Sequence, residues 1–387
     1  MTLTSITGFS DYDREFSIDL DATTAALPQT TLDLTNQSAS QEIRLASNNH
    51  NRIQWLGGIY FYDEHSDIDF SISPQFNTTQ RETRIDQNGK ALFGQVEYAI
   101  NKQWKITGGG RYEKIDQQGR QTTMSRASST SYQANLTSTE FLPKASLSYQ
   151  ANPRHLLYLS YAKGYLPGGY NYNSAGSLDS FTFKPEYSTL VELGWKQGIS
   201  GGLTSQLSVY KNTVSDKQLV DLLPGFVQSI SNAGKTEAYG AELTVGFPIT
   251  SHLSGFANMN IQRTEAKDYS ISQFGTIQDF SGNHLSFSPE KNYSAGLTYK
   301  SDNGWFGRLA VKGSSRYYLN SQNSIEQPTF AIVDTEIGYR FQDLTLSFWA
   351  KNIGDEAVIS RAVSTQSGTV VEDMSPRIIG LTLEVDL

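Results

Sequence analysis

The chain has 387 residues, a formal net charge of −8 and a pI near 5.2. That acidity argues against a nucleic-acid partner, which calls for a basic face. The absence of Cys excludes a disulfide framework, a thiol nucleophile and a thiolate metal site. Only 37% of the residues are apolar and the mean hydropathy is −0.43, yet there are 21 Tyr, 19 Phe and 32 Gly. No apolar run approaches the ~20 residues of a spanning helix, whereas a membrane strand needs only ~9–11, with every second residue apolar.

In chain order the pattern predicts sixteen strands. They lie at 2–16, 38–47, 52–72, 80–100, 102–125, 133–150, 154–170 and 183–198, then at 202–222, 225–247, 252–268, 284–300, 304–320, 328–341, 343–355 and 374–387. Alternation is the signal for each. Tyr187, Thr189, Val191, Leu193 and Trp195 alternate with Ser188, Leu190, Glu192 and Gly194. Tyr239, Ala241, Leu243, Val245 and Phe247 alternate with Ala238, Gly240, Glu242, Thr244 and Gly246. Ile379, Leu381, Leu383, Val385 and Leu387 alternate with Gly380, Thr382, Glu384 and Asp386. A period of two with one apolar and one polar or small face marks a half-buried strand.

Tight turns are expected at Asn48–Asn51, Asn101, Ala151–Pro153, Ile199–Gly201, Pro248–Ser251, Ser301–Asn303 and Gln342. Longer Ser/Asn/Gly-rich links, such as Asn171–Thr182, Tyr269–Asn283 and Glu356–Asp373, fall between them. Alternating short and long links suit a membrane β-barrel with short periplasmic turns and long extracellular loops. The short link Leu223-Pro224 falls on the extracellular side and breaks that rule. A soluble sandwich or propeller would show strands of ~5–6 residues or a repeat of ~40–50, and neither is present. Fold class is therefore read as all-β, a transmembrane antiparallel meander barrel.

Several stretches resemble the barrel domain of TonB-dependent receptors, in particular the iron–siderophore branch. They are Tyr158-Leu-Ser-Tyr-Ala-Lys-Gly-Tyr-Leu-Pro-Gly-Gly-Tyr-Asn171, Phe183-Lys-Pro-Glu-Tyr187 and Glu192-Leu-Gly-Trp-Lys196, then Ser229-Ile-Ser-Asn-Ala-Gly-Lys-Thr-Glu-Ala-Tyr-Gly-Ala-Glu-Leu243, Ser288-Pro-Glu-Lys-Asn292 and Pro376-Arg377. Gly240, beside Tyr239, leaves room for a ring to lie across a neighbouring strand. The chain departs from the family at Ile353 of Lys351-Asn-Ile-Gly-Asp355 and at its last residue, Leu387, where an aromatic is usual. The resemblance implies residues 1–387 to be part of a receptor barrel of 22 strands around a plug, with plug domain, TonB box and signal peptide absent. Met1–Thr7 has neither the basic nor the apolar region of a signal peptide. The implied partners are outer-membrane lipid, a ferric siderophore or similar scarce ligand, TonB through an N-terminal region, and the barrel-assembly machinery through the final strand. No cofactor is implied, and the implied location is the outer membrane of a Gram-negative bacterium. A passive porin-like channel or a structural barrel is the alternative.

Catalytic signatures fail. Ser160-Tyr-Ala-Lys163 and Ser301-Asp302-Asn303 match two β-lactamase-type elements, but Lys235-Thr236 is followed by Glu237 where Gly is needed. Gly234-Lys235-Thr236 lacks the earlier glycine of a P-loop. His50, His65, His155, His252 and His284 show no metal-ligand spacing. The chain is read as no enzyme. The candidate ligand contacts at the extracellular rim are Tyr165, Tyr170, Tyr172, Arg316 and Tyr318, since phenols and a guanidinium suit an aromatic or anionic ferric chelate. The interfacial aromatic girdle of a barrel accounts for such tyrosines as well. Glu97, Glu192 and Glu242 are expected to face the lumen.

Overall fold

The computed structural model describes residues 1–19, 29–48, 51–73, 79–198, 202–223, 227–273, 276–365 and 368–385. Among them, sixteen long strands follow one another in a single antiparallel sheet in chain order. They are β1 (Thr2–Asp19), β2 (Gln29–Ala46), β3 (Ile53–Ser73), β4 (Thr79–Ala99), β5 (Trp104–Met124), β6 (Ser129–Asn152), β7 (His155–Leu166) and β8 (Glu186–Gly198). The second eight are β9 (Thr204–Leu223), β10 (Val227–Pro248), β11 (Leu253–Asp268), β12 (Lys291–Lys300), β13 (Trp305–Ser314), β14 (Phe330–Phe341), β15 (Leu344–Lys351) and β16 (Ile378–Val385). The expected strand count and order hold.

Boundaries differ where proline removes a ladder donor. Strand β7 ends before Pro167 instead of running to 170, β8 begins after Pro185, β12 begins after Pro289, and β16 begins after Pro376. Strand β13 stops at Ser314 instead of 320 and β15 at Lys351 instead of 355, while β2 starts at Gln29, nine residues before the expected 38. The long links hold structure of their own. Gly169–Tyr170 pairs with Thr182–Phe183, Ser270–Gln273 with Thr276–Asp279, Tyr317–Tyr318 with Glu326–Gln327, and Ile359–Thr365 with Gly368–Asp373. Leu178–Phe181 forms one helical turn, capped by the Ser177 side chain. Part of the expected turn at 48–51, with His50, and all of that at 199–201 lie outside the described residues, as do Pro224 and Leu387.

The chain divides into two compact units. The first comprises Met1–Leu147, Tyr161–Thr189 and Val214–Lys235, and the second Ser148–Ser160, Leu190–Thr213 and Thr236–Leu387. In the first unit the even face of β4 runs from Arg84, Asp86, Asn88 and Lys90 to Leu92, Val96 and Tyr98. Leu92 is 62% exposed, and Phe141, Tyr112 and Ile106 are exposed likewise. An apolar band so open to solvent would be an aggregation hazard in water and is ordinary against lipid.

In the second unit the same band crosses three strands in register. Ile337 pairs with Phe348 and Phe348 with Leu381, while Tyr339 pairs with Leu346 and Leu346 with Leu383. Leu381 is 72% exposed. The opposite face carries Trp349, Thr382 and Glu384, with the Trp349 indole N–H donating to Thr382 Oγ1 at 3.1 Å. Aromatic rings lie over glycines of adjacent strands. Tyr158 covers Gly194, whereas a Cβ at Gly240 would meet the Ile261 carbonyl at 2.5 Å and the Tyr210 hydroxyl at 2.9 Å, and Tyr239 points to the exposed side. A Cβ at Gly194 would displace the Tyr158 ring.

Candidate functional site

In the first unit the segment 168–184, between β7 and β8, lies back over the polar face of β4–β6. Gln121 of β5 is fully buried beneath it. Its amide donates to the carbonyls of Tyr172 at 2.7 Å and Asn171 at 3.2 Å, and to Thr83 Oγ1 at 3.0 Å. Thr83 Oγ1 donates in turn to the Tyr172 carbonyl. Tyr170 is buried, its ring packed on Phe181 with centroids 5.1 Å apart and its hydroxyl donating to the Ala134 carbonyl at 3.0 Å. It lies on Gly119, where a Cβ would strike the ring. Tyr172 packs against the buried cluster Leu32, Ile68 and Phe70. That burial raises its phenol pKa, an effect the nearby Arg14 opposes.

The loops are fastened by asparagine side chains acting as single extra peptide groups. Ile230 N–H donates to Asn171 Oδ1 at 2.7 Å, and Asn171 Nδ2 donates back to the Ile230 carbonyl at 3.0 Å. Asn232 does the same with Lys184 at 2.8 and 3.0 Å. In the second unit Asn323 clamps His284 at 2.9 and 3.0 Å, and Asn352 clamps Glu356 at 2.9 and 3.0 Å. A carboxamide offers one donor and one acceptor in one plane, as a peptide does. Each bond is worth ~0.5–1.5 kcal/mol net, and more is lost if a buried partner is left bare. At the base of the 168–184 segment Glu186 accepts from Lys217 Nζ at 3.2 Å and from Gln218 N–H at 2.8 Å.

The second unit holds a cleft of about 320 Å³ at the loop ends of β12 and β13, lined by residues that include His284, Lys291, Arg316, Tyr317, Tyr318 and Glu326. The His284 ring lies 6.2 Å from Tyr318, and Phe287 lies 6.4 Å from Tyr317. Arg316 Nη1 sits 3.8 Å from Glu326 Oε2, an open pair that leaves most of its donors for another acceptor. The cleft holds two cations, two carboxylates (Glu290 and Glu326), an imidazole and two phenols, a set whose open Arg316 donors and rings can receive an anionic or aromatic group.

The predicted rim residues thus divide. Tyr165, Tyr170 and Tyr172 belong to the first unit, where Tyr165 stands 5.8 Å from Tyr187. Arg316 and Tyr318 share the cleft of the second. Tyr170 is consumed in fastening its own loop. Glu97 pairs with Lys105 at 2.8 Å, Glu192 accepts from the Tyr158 hydroxyl at 2.6 Å, and Glu242 accepts from Asn260 at 3.1 Å. All three lie on strand faces opposite the exposed apolar residues Val96, Leu193 and Leu243. Among the described residues no group of His, Asp and Glu is arranged to hold a metal ion. His284 and the asparagine clamps escape sequence reasoning, although Asn171 and Asn232 sit inside the very stretches that carry the family resemblance.

The family profile described as TonB dependent receptor-like, beta-barrel matches residues 2–353. The chain belongs to this family. It is a family of transport receptors, not enzymes. The pesticin receptor of Yersinia pestis is 26% identical over 251 residues, 64% of this chain and 36% of that protein. The iron-regulated outer membrane virulence protein of Vibrio cholerae is 23% identical over 300 residues, 73% and 43% of the two chains. The chain therefore spans about two-fifths of the curated relatives it matches. Among solved structures, the ferric yersiniabactin uptake receptor FyuA from Yersinia pestis superposes with a TM-score of 0.84 at 21% identity, over 100% of this chain and 58% of that one. The siderophore receptor PiuA from Acinetobacter baumannii gives 0.80 at 14% identity, over 99% and 62%. These likenesses establish the receptor barrel as the fold. The homologous barrels are Gram-negative outer-membrane proteins.

Proposed function

We propose that this chain supplies the barrel wall of an outer-membrane receptor that takes up a ferric siderophore. The observation that carries the reading is the pairing of an exposed apolar band with loop ends that hold cationic and aromatic groups, foremost Arg316, Tyr318 and His284 in one cleft. Such groups suit a ligand with anionic oxygens and aromatic rings, and the relatives named as siderophore receptors point the same way. Tyr165 and Tyr172 are proposed as further contacts at the rim of the first unit. Glu97, Glu192 and Glu242 are proposed to line the lumen or to meet a plug. Gating and energy coupling belong to the plug and TonB-contacting segment of a whole receptor. The proposed surroundings are outer-membrane lipid, with the final strand read by the barrel-assembly machinery.

The test is export of the chain with a signal peptide into a strain lacking its own siderophore receptors, with and without a family plug fused ahead of Thr2. TonB-dependent growth on a ferric siderophore is expected only with the plug, and should fall with Arg316→Gln. Growth on the wall alone would refute the division of labour. TonB-independent leakage of small solutes without any siderophore growth would mark a passive channel instead.

A further inference from the structure

Arg81 stands on the polar face of β4, in register with Phe70 of β3 and Thr123 of β5. Its guanidinium carbon lies 6.0 Å from the centre of the Phe70 ring. Phe70 is itself 2% exposed, so the charge rests on a buried apolar floor. Two guanidinium nitrogens, Nε and Nη1, are cut off from solvent and have no hydrogen-bond partner. Among the described residues no carboxylate pairs with Arg81. The same is true of Thr123 Oγ1 beside it and of Ser174 Oγ in the overlying segment, both buried without a partner. Tyr132 approaches from β6, its hydroxyl donating to the Gly176 carbonyl at 3.0 Å, and Tyr172 packs on the same Phe70 cluster.

Arg81 is half-buried as a residue, but two of its three guanidinium nitrogens are left dry. Burying an unpaired charge is strongly unfavourable, and each bare donor adds the desolvation cost of a lost bond. Burial alone already pulls the Arg81 pKa below its ordinary value. The surroundings resolve the cost if an oxyanion occupies the donors, because the planar fork of Arg fits two oxygens of one group at once. Thr123 would add a neutral hydroxyl donor, and Phe70 and Tyr132 supply the apolar frame, whereas Ser174 and Tyr172 belong to the overlying segment and move away with it. The segment 171–176 lies over this place and is fastened by Asn171 and Gln121, so the occupant must displace it to reach Nε and Nη1.

We propose that Arg81 is the anion-binding residue of a ligand subsite beneath the 171–176 segment, taking a carboxylate or phenolate carried on an aromatic ring. The proposal rests on the receptor reading for its biological occupant, but not for its chemistry. It couples occupancy to lifting of the segment: whatever loosens the Asn171 clamp strengthens binding, and whatever removes the Arg81 fork abolishes it.

The test uses the full chain folded in detergent, with benzoate and salicylate as probes, uncharged benzamide and inorganic phosphate as comparisons, and ligand-observed NMR as the readout. Saturable binding of benzoate and salicylate is expected, weakened about tenfold or more by Arg81→Gln and partly retained by Arg81→Lys. Asn171→Ala should tighten it a few-fold, since less has to be displaced. Arg52→Gln, an exposed charge outside the subsite, should leave it unchanged, and folded fractions are compared by resistance to SDS. Equal affinity in the parent and Arg81→Gln would overturn the proposal, as would absence of saturable binding in both the parent and Asn171→Ala. Phosphate binding as tightly as benzoate would overturn the aromatic part. Arg81-dependent benzoate binding without siderophore growth of the plug-fused receptor would sink the receptor reading and leave the subsite standing. Siderophore growth unaffected by Arg81→Gln, with no benzoate binding, would do the reverse.

Discussion

In the first unit the polar face of β4 and β5 is closed over by the chain's own 168–184 segment, so that Gln121 is fully buried and Thr83 nearly so. In the second unit the polar face of β16 carries Thr382 and Glu384 exposed. Both faces come from the same period-two alternation, so alternation does not decide which polar residues end up dry. The overlying loop does, and it does so with hydrogen bonds from side-chain amides. Strand alternation sets which face is apolar, while loop fastening sets which polar residues are hidden from water.

The largest test of that division is a charge on the apolar face. Leu243→Arg should cost ~2–4 kcal/mol of folding in lipid vesicles, and Thr244→Arg on the opposite face close to nothing. Urea titration of the two variants in parallel decides it, and equal losses would mean the faces are reversed. Next comes the packing under the first unit's loop. Gly119→Val drives a branched side chain into the Tyr170 ring, and overpacking of this kind costs ~1–3 kcal/mol. The loss should appear as faster hydrogen exchange over 168–184 while the strands of the second unit stay protected.

Clamp removal sharpens the contrast further. Asn171 is 5% exposed whereas Asn323 is only half-buried. Asn171→Ala should therefore destabilise its loop by ~1–3 kcal/mol, and Asn323→Ala by about half as much, because water can replace part of what it loses. Local proteolysis rates of the two loops give the comparison, and a larger effect at Asn323 would contradict it.

The smallest effect is expected at His65, on the even-residue side of the wall where β4 is charged. Its ring nitrogens contact Asp86 at 2.6 Å and Asp67 at 3.0 Å, and those hydrogen bonds, Asp86 first, raise its pKa above 6.5. A raised folded-state pKa means the stabilisation is fully present below about 6.5 and is lost as pH rises through the folded value. With all three groups more than a third exposed, the effect is of the order of ~0.2–1 kcal/mol. His65→Asn should lower the melting temperature slightly at about pH 5.5 and not at about pH 8.5. Equal melting differences at both values would show the brace to be uncharged.

Much of this architecture is legible in the sequence because strand pairing is local. Leu381, Leu383 and Val385 announce β16 by period alone, and Pro167, Pro185 and Pro289 could have corrected the strand ends. The start of β2 is hidden because Gln29–Asn36 offers only Leu32 and Leu34 as apolar residues. The clamps are hidden for a different reason. Asn171 and Ile230 are 59 residues apart and Asn232 and Lys184 are 48 apart, so nothing local distinguishes these asparagines from ordinary loop polar residues. Arg316 and Tyr318 fell on one cleft because they are near neighbours. His284, 32 residues from Arg316, joins them through contacts distant in sequence, the Asn323 clamp and its ring against Tyr318. Arg81 gave no signal, since burial of a guanidinium depends on a loop ninety residues later in the chain.

The asparagine clamps also bear on how exposed loops stay apart from other molecules. Two segments joined by an added strand present a fresh row of unpaired amides on the far side, a template on which another chain can register. A single side-chain amide joins them with two bonds and ends there. Loops fastened in this way gain rigidity without acquiring an adhesive margin.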